Sequence, residues 1–388
     1  MDEIKYSTQN IDKQDIKIVT KTLKNDFITQ GPLVSKFEKS LSSICKNKYV
    51  VALSNASNGL IVACMVLGLK KNDIVWCSAI TFLSSISCAI HLGSKFDLID
   101  IDLQNYNLNI DLLERKLKLA KKKNKLPKIV IVTHLGGNPI DLKKIYSLKK
   151  KYKFKIIEDA SHALGSKINK KPIGACEFSD ITIFSFHPVK SITTGEGGAI
   201  TFNNKKNYIK SKQLISHGII RDKTYFKRKY NGGWDYDIFN LGFNFRLSDI
   251  NCSLGYSQLK KLNKFIKIRN NIANHYNNIF SKNESIITPY VDKKNTSSFH
   301  LYIIRIKNLT ISKKKILFEL MKRKKINLNF HYIPLNKFYI FRKKFKNKKF
   351  INSEKYYKEA ISLPIHTKLS NQQIKYVANN LINSLKQI

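Results

Sequence analysis

Between Lys48 and Asn203, short apolar runs alternate with longer stretches whose apolar residues return every three or four positions. The first pattern is that of buried strands, the second that of amphipathic helices. Residues 49–53 read as a strand and 57–69 as the helix behind it. The pairs 73–77 with 82–92, 95–100 with 111–123, and 128–133 with 142–151 repeat the theme. Strands at 155–159, 181–185 and 198–202 complete the set. Such alternation predicts an α/β fold with a mixed, mostly parallel sheet flanked by helices. Residues 234–245 are aromatic and rich in turn residues, and 247–280 read as helical. Beyond them a strand at 299–306 and helices at 313–324 and 371–385 predict a smaller C-terminal α/β domain. The boundary is placed between a large domain at 1–245, N-terminal segment included, and a small one at 246–388 that takes in the connecting helix.

At 388 residues the chain is long enough for one large core and a second, smaller one. Its six cysteines, at 45, 64, 77, 88, 176 and 252, form no C-x-x-C pair and no zinc spacing, so no metal site is expected. Most sit in apolar segments, which fits small core residues in a reducing cytoplasm. The first residues lack the apolar run of a signal peptide, and no stretch approaches the roughly 20 apolar residues of a membrane span. The formal charge of +43 raises nucleic-acid binding. However, the lysines are spread over many patches, with no helix-turn-helix or aromatic sheet motif beside them. A compositional bias is the simpler reading, and no nucleic-acid or membrane partner is expected. A basic surface still favours an anionic small substrate.

The candidate chemistry lies at strand ends. The strand at 155–159 finishes in Asp159 and runs into Ala160-Ser161-His162. The strand at 181–185 finishes in Ser185 and runs through His187-Pro188-Val189 to Lys190, followed by the turn Gly195-Glu196-Gly197-Gly198. A lysine at a strand end is partly desolvated, which lowers its pKa and makes the amine nucleophilic. A carboxylate and a lysine so placed are the two charged partners that pyridoxal phosphate (PLP) needs, one at the pyridine nitrogen and one at the aldehyde. Ala56-Ser57 opens a helix after a strand and offers free N–H groups and a hydroxyl to a phosphate, although the same pattern serves as a plain N-cap. Ser185 is a second phosphate donor or an inward strand serine. Phe82 is a ring to stack on a planar cofactor or an ordinary core residue. His162 bonds the Asp159 carboxylate, lies near the cofactor's phenolic oxygen, or merely packs.

Together these motifs resemble the DegT/DnrJ/EryC1/StrS family of sugar aminotransferases, which have the PLP fold-type-I architecture. The likeness begins with residues 28–38, around Gly31-Pro32. It continues through Leu241-Gly242-Phe243-Asn244-Phe245-Arg246 to His331-Tyr332-Ile333-Pro334 and Ile361-Ser362-Leu363-Pro364. It implies that Lys190 is the Schiff-base lysine and general acid/base, and that Asp159 pairs with the pyridine nitrogen. It implies that Phe82 stacks on the ring and that Ala56, Ser57 and Ser185 hold the phosphate. It further implies a homodimer with shared sites, in which Asn244 reaches the neighbour's cofactor phosphate. The amino donor would be L-glutamate, leaving as 2-oxoglutarate, and the acceptor a nucleotide-linked 4-keto sugar. Arg221 and Arg246 are candidates for the diphosphate by position only, and serve equally as surface ion pairs. His187, Tyr6, His331 and Tyr332 are placed at the sugar by the family pattern.

Within the family, His187-Pro188-Val189-Lys190, Ser216-His217-Gly218 and Gly233-Trp234-Asp235-Tyr236 resemble the pseudaminic-acid branch. That implies a UDP-linked 2-acetamido-2,6-dideoxy-hexos-4-ulose of L-arabino configuration. Bacillosamine-, legionaminic- and perosamine-type substrates stay open. Two departures stand out. Ala56-Ser57 replaces the usual glycine and threonine, keeping the hydroxyl but adding a methyl. Gly136-Gly137-Asn138-Pro139 lacks the glutamine or histidine that relatives often carry before the proline.

Overall fold

The computed structural model describes residues 2–388. At its centre is a seven-stranded sheet in the order Val50–Leu53, Gly198–Phe202, Ile181–Ser185, Lys155–Asp159, Ile129–Thr133, Ile74–Ser78 and Lys95–Ile99. Only Gly198–Phe202 runs against its neighbours; the other pairings are parallel. Parallel strands covered on both faces need apolar residues at every position rather than at alternate ones. Ile129–Thr133 shows this, with all five residues buried.

The covering helices follow from local signals. In Ile110–Lys122 the Asn109 side chain accepts from the Leu112 N–H, which caps the first turn. Leu113, Leu117 and Ala120 form its buried stripe, leaving Lys118, Lys121 and Lys122 to solvent. Leu142–Tyr152 is capped by Asp141 in the same way and buries Leu142, Ile145, Leu148 and Tyr152. These two helices share one core with Phe37, Phe184 and Phe186. On the other face, Ala56–Val66 and Ser84–His91 pack with Ile157, Ile200 and Phe202.

A second, antiparallel sheet joins Ile286–Ile287, Tyr302–Ile306 and Ala360–Leu363. Helices Leu262–Phe280, Ile311–Arg323 and Asn371–Leu385 cover it around Tyr276, Tyr302, Leu317 and Val377. The aromatic segment after Ile220 lies on the surface, with Trp234 76 % and Leu241 82 % exposed. No helix among the described residues is long and apolar enough to cross a membrane.

The expected helix at 247–280 is two helices, Asp249–Leu259 and Leu262–Phe280. The joint is held from outside: Asp15 Oδ2 accepts from Gln258 Nε2 at 2.7 Å and from Lys261 Nζ at 2.5 Å. The expected strand at 299–306 shortens to Tyr302–Ile306. The carbonyls of Phe299 and His300 instead accept from the buried Arg269 guanidinium. Helices Lys13–Leu23, Pro32–Cys45, Tyr339–Phe345 and Ile351–Glu359 had no counterpart in the sequence reading.

Candidate active site

Three strands end at one place. Thr133, Asp159 and Ser185 are the last residues of Ile129–Thr133, Lys155–Asp159 and Ile181–Ser185, with Thr133 in register with Asp159. The helix Ala56–Val66 starts beside them, its Asn55 cap accepting from the Asn58 N–H. Carboxyl ends of parallel strands and a helix N-terminus are where α/β sheets bind ligands. The cavity there measures about 360 Å³. Gly198 explains how the helix comes so close. A Cβ at that position would lie 2.8 Å from the Ala56 nitrogen and 2.9 Å from the Phe184 oxygen. Any larger residue would push the helix start away from the sheet.

Asp159 is 4 % exposed and its carboxylate is held by neutral donors. Ser85 Oγ donates to Oδ2 at 2.8 Å, and the Ser161 hydroxyl and N–H donate to Oδ1 at 2.7 and 3.2 Å. Behind Ser85 the hydroxyl chain continues through Thr81 at 2.9 Å to Thr133 at 2.8 Å. The adjacent Glu158 faces the other side of the strand, bonded to His134 at 2.8 Å.

Lys190 reaches the same cavity from the loop after Ser185, with no hydrogen bond or ion pair from its amine among the described residues. Burial lowers its pKa to about 8, against the opposing pull of the Asp159 charge. At that pKa roughly a tenth of the amine is neutral at pH 7, far more than for a free lysine, and the neutral form is the nucleophile.

The buried imidazoles around it, His162, His300 and His331, are neutral. His162 Nδ1 accepts from the Gly136 N–H at 3.2 Å, so its proton sits on Nε2, 3.1 Å from the Tyr332 hydroxyl. Burial first, then the Lys190 charge, holds the His162 pKa well below the usual range. The same causes bring His331 to about 3. Burial above all, then the neighbouring Asp159 charge, keeps the Tyr332 phenol protonated.

Of the residues singled out from sequence, Tyr6, Ala56, Ser57, Phe82, Asp159, His162, Ser185, His187, Lys190, His331 and Tyr332 all line this cavity. His162 does not bond the Asp159 carboxylate, which the sequence reading held open; Ser85 and Ser161 do. Three residues lie elsewhere in their own chain. Asn244 is exposed and bridges to Ser216. Arg246 bonds Ser216 Oγ at 2.9 Å and lines a separate cavity. Arg221 is exposed, 5.8 Å over the Tyr236 ring. Neither arginine makes an ion pair among the described residues, so the alternative of surface ion pairs is not what the structure shows. Sequence reasoning missed Thr81, Ser84, Ser85, Thr133, Ser161 and His300. Ser161 alone had a signal, since a serine two residues after an aspartate bonds back to it readily.

These residues fit the expected cofactor. Lys190 and the buried Asp159 share one cavity without pairing, which leaves room for a ring between amine and carboxylate. Phe82, 55 % exposed, presents an open face there. The hydroxyls of Ser57 and Ser84, 2.6 Å apart, stand at a helix N-terminus where a phosphate would find donors.

Comparison with known proteins agrees with this geometry. Residues 9–382 match the DegT/DnrJ/EryC1/StrS aminotransferase family. A UDP-4-amino-4,6-dideoxy-N-acetyl-beta-L-altrosamine transaminase of Campylobacter jejuni subsp. jejuni serotype O:23/36 is 36% identical over 385 residues, 99% of this chain and 98% of the relative. The structure of Helicobacter pylori PseC, an aminotransferase involved in the biosynthesis of pseudoaminic acid, superposes with TM-score 0.89 at 27% identity, covering 100% of both chains. Spr1654 from Streptococcus pneumoniae, solved in a PMP form, superposes with TM-score 0.89 at 26% identity over 99% of each chain.

Proposed function

From the premise that this chain belongs to the DegT/DnrJ/EryC1/StrS aminotransferase family, we propose a specific reaction for it. An amino group passes from L-glutamate to the 4-keto carbon of UDP-2-acetamido-2,6-dideoxy-β-L-arabino-hexos-4-ulose. The enzyme class is a PLP-dependent nucleotide-sugar transaminase. The sugar is inferred from the Campylobacter relative's product and from the pseudaminic-type residues around Lys190. The observation that carries the chemistry is the buried Lys190 amine, its pKa lowered to about 8, sharing one cavity with the buried Asp159 carboxylate.

Bound pyridoxal phosphate supplies an amine-exchanging carbonyl and an electron-withdrawing pyridinium. The chain's own residues do the rest. Lys190 Nζ takes the proton from the donor's Cα, and in the second half-reaction delivers one to C4 of the sugar. Asp159 holds the proton at the pyridine nitrogen, while Ser85 and Ser161 keep its oxygens in place. Ser57, Ser185 and the start of Ala56–Val66 would hold the phosphate, and Phe82 would pack against the ring. Tyr332, oriented by the His162 Nε2–H, stands with Tyr6 and His331 at the sugar. Burial of the His162 and His331 rings keeps both neutral, so they do not compete with Lys190 for protons.

The working unit in this reading is a homodimer in the cytoplasm. Trp234, Leu241 and Phe243 are exposed beside Asn244, a patch that suits burial against a second copy. Asn244 would then reach the partner's cavity, and Arg221 and Arg246 would approach the diphosphate from the same side.

The test offers the amine-charged enzyme two UDP-N-acetyl-4-keto-6-deoxy hexoses, the L-arabino and D-xylo epimers. Faster consumption of the L-arabino epimer is expected. Preference for D-xylo would replace the proposed sugar with a bacillosamine- or legionaminic-type one. Reaction only with a GDP-4-keto sugar would favour perosamine-type synthesis, the activity in the name of a 27% identical Escherichia coli O157:H7 relative.

A further inference from the structure

A second lysine is buried without an anionic partner, far from the sheet ends in sequence. Lys314, on the helix Ile311–Arg323, is 8 % exposed. Its Nζ donates to the Tyr357 carbonyl at 2.9 Å and lies 3.7 Å from the centre of the Phe330 ring. The Tyr357 ring is 5.7 Å away. The ion pairs nearby, Arg305–Glu359 and Lys337–Glu354, do not include it. An ammonium has three N–H bonds, and one protein acceptor is present here. Beyond that acceptor the ammonium has only the Phe330 and Tyr357 ring faces, and no anion, among its protein neighbours.

The lysine lines a groove of about 650 Å³. Its walls are mainly apolar: Ile311, Phe318, Ile326, Leu328 and Ile333. Lys315 and Lys322 stand on the same lining, and Glu319 is its single acid. A volume of that order suits a small organic molecule. Burial lowers the Lys314 pKa to about 7, and an anion beside the amine would restore its charge. Apolar walls around a cation with no anionic partner call for a ligand with an apolar body and one negative end.

We propose that this groove is a second, non-catalytic binding site for an apolar organic carboxylate, with Lys314 as its counter-cation. The site stands back to back with the Lys190 cavity. Phe330 and Ile333 line the groove, while His331 and Tyr332, between them in sequence, line the cavity. A ligand against Phe330 therefore bears on the segment that carries two residues of the proposed sugar site.

The experiment is calorimetric titration of the full-length protein at neutral pH with octanoate, and with octanol as its uncharged counterpart. One octanoate per chain is expected, bound more tightly than octanol. Lys314→Met should weaken octanoate by roughly tenfold or more, the scale of one charge-assisted hydrogen bond, and leave octanol within about twofold. Ile311→Glu, at an exposed rim position, should also weaken octanoate and serves if Lys314→Met does not fold. Absence of saturable binding, equal affinity for octanoate and octanol, or unchanged octanoate affinity in both variants would overturn the proposal. So would a smaller assembly of Ile311→Glu by light scattering, which would make a second copy the occupant.

Discussion

Removing the proposed catalytic lysine should make the cofactor-free protein more stable. Lys190 has its pKa lowered from 10.5 to about 8, chiefly by burial. A displacement of that size corresponds to about 3 kcal/mol against the charged form. Lys190 is only partly shielded from solvent in the open cavity, which discounts the figure to about 2 kcal/mol. Lys190→Met keeps the length and the apolar stem and deletes the charge. The sign follows from linkage. Below pH 8 folded and unfolded chains both carry the proton, so the folded wild type bears the full burial cost. Between pH 8 and 10.5 the folded state loses the proton first, and the cost fades as pH rises. The gain from Lys190→Met is therefore largest below pH 8 and falls towards zero by pH 10.5. Urea denaturation of wild type and variant, both stripped of cofactor, at several pH values measures it. A variant that is less stable at pH 7, or whose advantage grows with pH, would refute the reasoning.

Asp159→Asn keeps the size of the side chain and loses the charge; the amino-transfer half-reaction should slow by at least ~100-fold in single-turnover kinetics. Ser85→Ala removes one neutral hydrogen bond to that carboxylate, and a loss of about fivefold is expected in the same assay. Gly198→Ala sets a methyl against backbone on three sides. It should cost about 1–3 kcal/mol by denaturation and weaken binding of the phosphorylated cofactor, as measured by equilibrium dialysis. Mixing Lys190→Ala with an inactive Asn244→Ala protein should restore part of the activity if the two residues act on one site from different chains. Failure to recover any, or a monomer by light scattering at micromolar concentration, would count against the shared site.

Most of the central sheet was legible because its strands are short, fully apolar runs separated by capped amphipathic helices. Lys190 and Asp159 were legible because strand ends are where an α/β sheet exposes side chains to a ligand. What sits around Asp159 was not. Ser85 and Thr81 acquire meaning only once the chain brings residues 81–85 beside the ends of two other strands, and a serine in an apolar segment carries no periodic mark. The break between Leu259 and Leu262 was hidden for a similar reason. No proline or glycine falls at residues 260–261, and the two helices are fixed at their joint by a carboxylate about 245 residues earlier. Asn244 was assigned from the family resemblance and Arg221 and Arg246 by position only, and their own chain does not bring any of them to the Lys190 cavity. For Asn244 this is what the resemblance implied, whereas position along the chain could not say where the two arginines lie.

The central claim is that one lysine, in the loop that follows the strand Ile181–Ser185, holds the cofactor. The purified protein is loaded with pyridoxal phosphate, reduced with borohydride, digested and mapped by mass spectrometry. The account predicts the reduced pyridoxyl label on the peptide bearing Lys190, and its loss in Lys190→Ala. A label on Lys314 or any other lysine in its place, or no label at all, would contradict it.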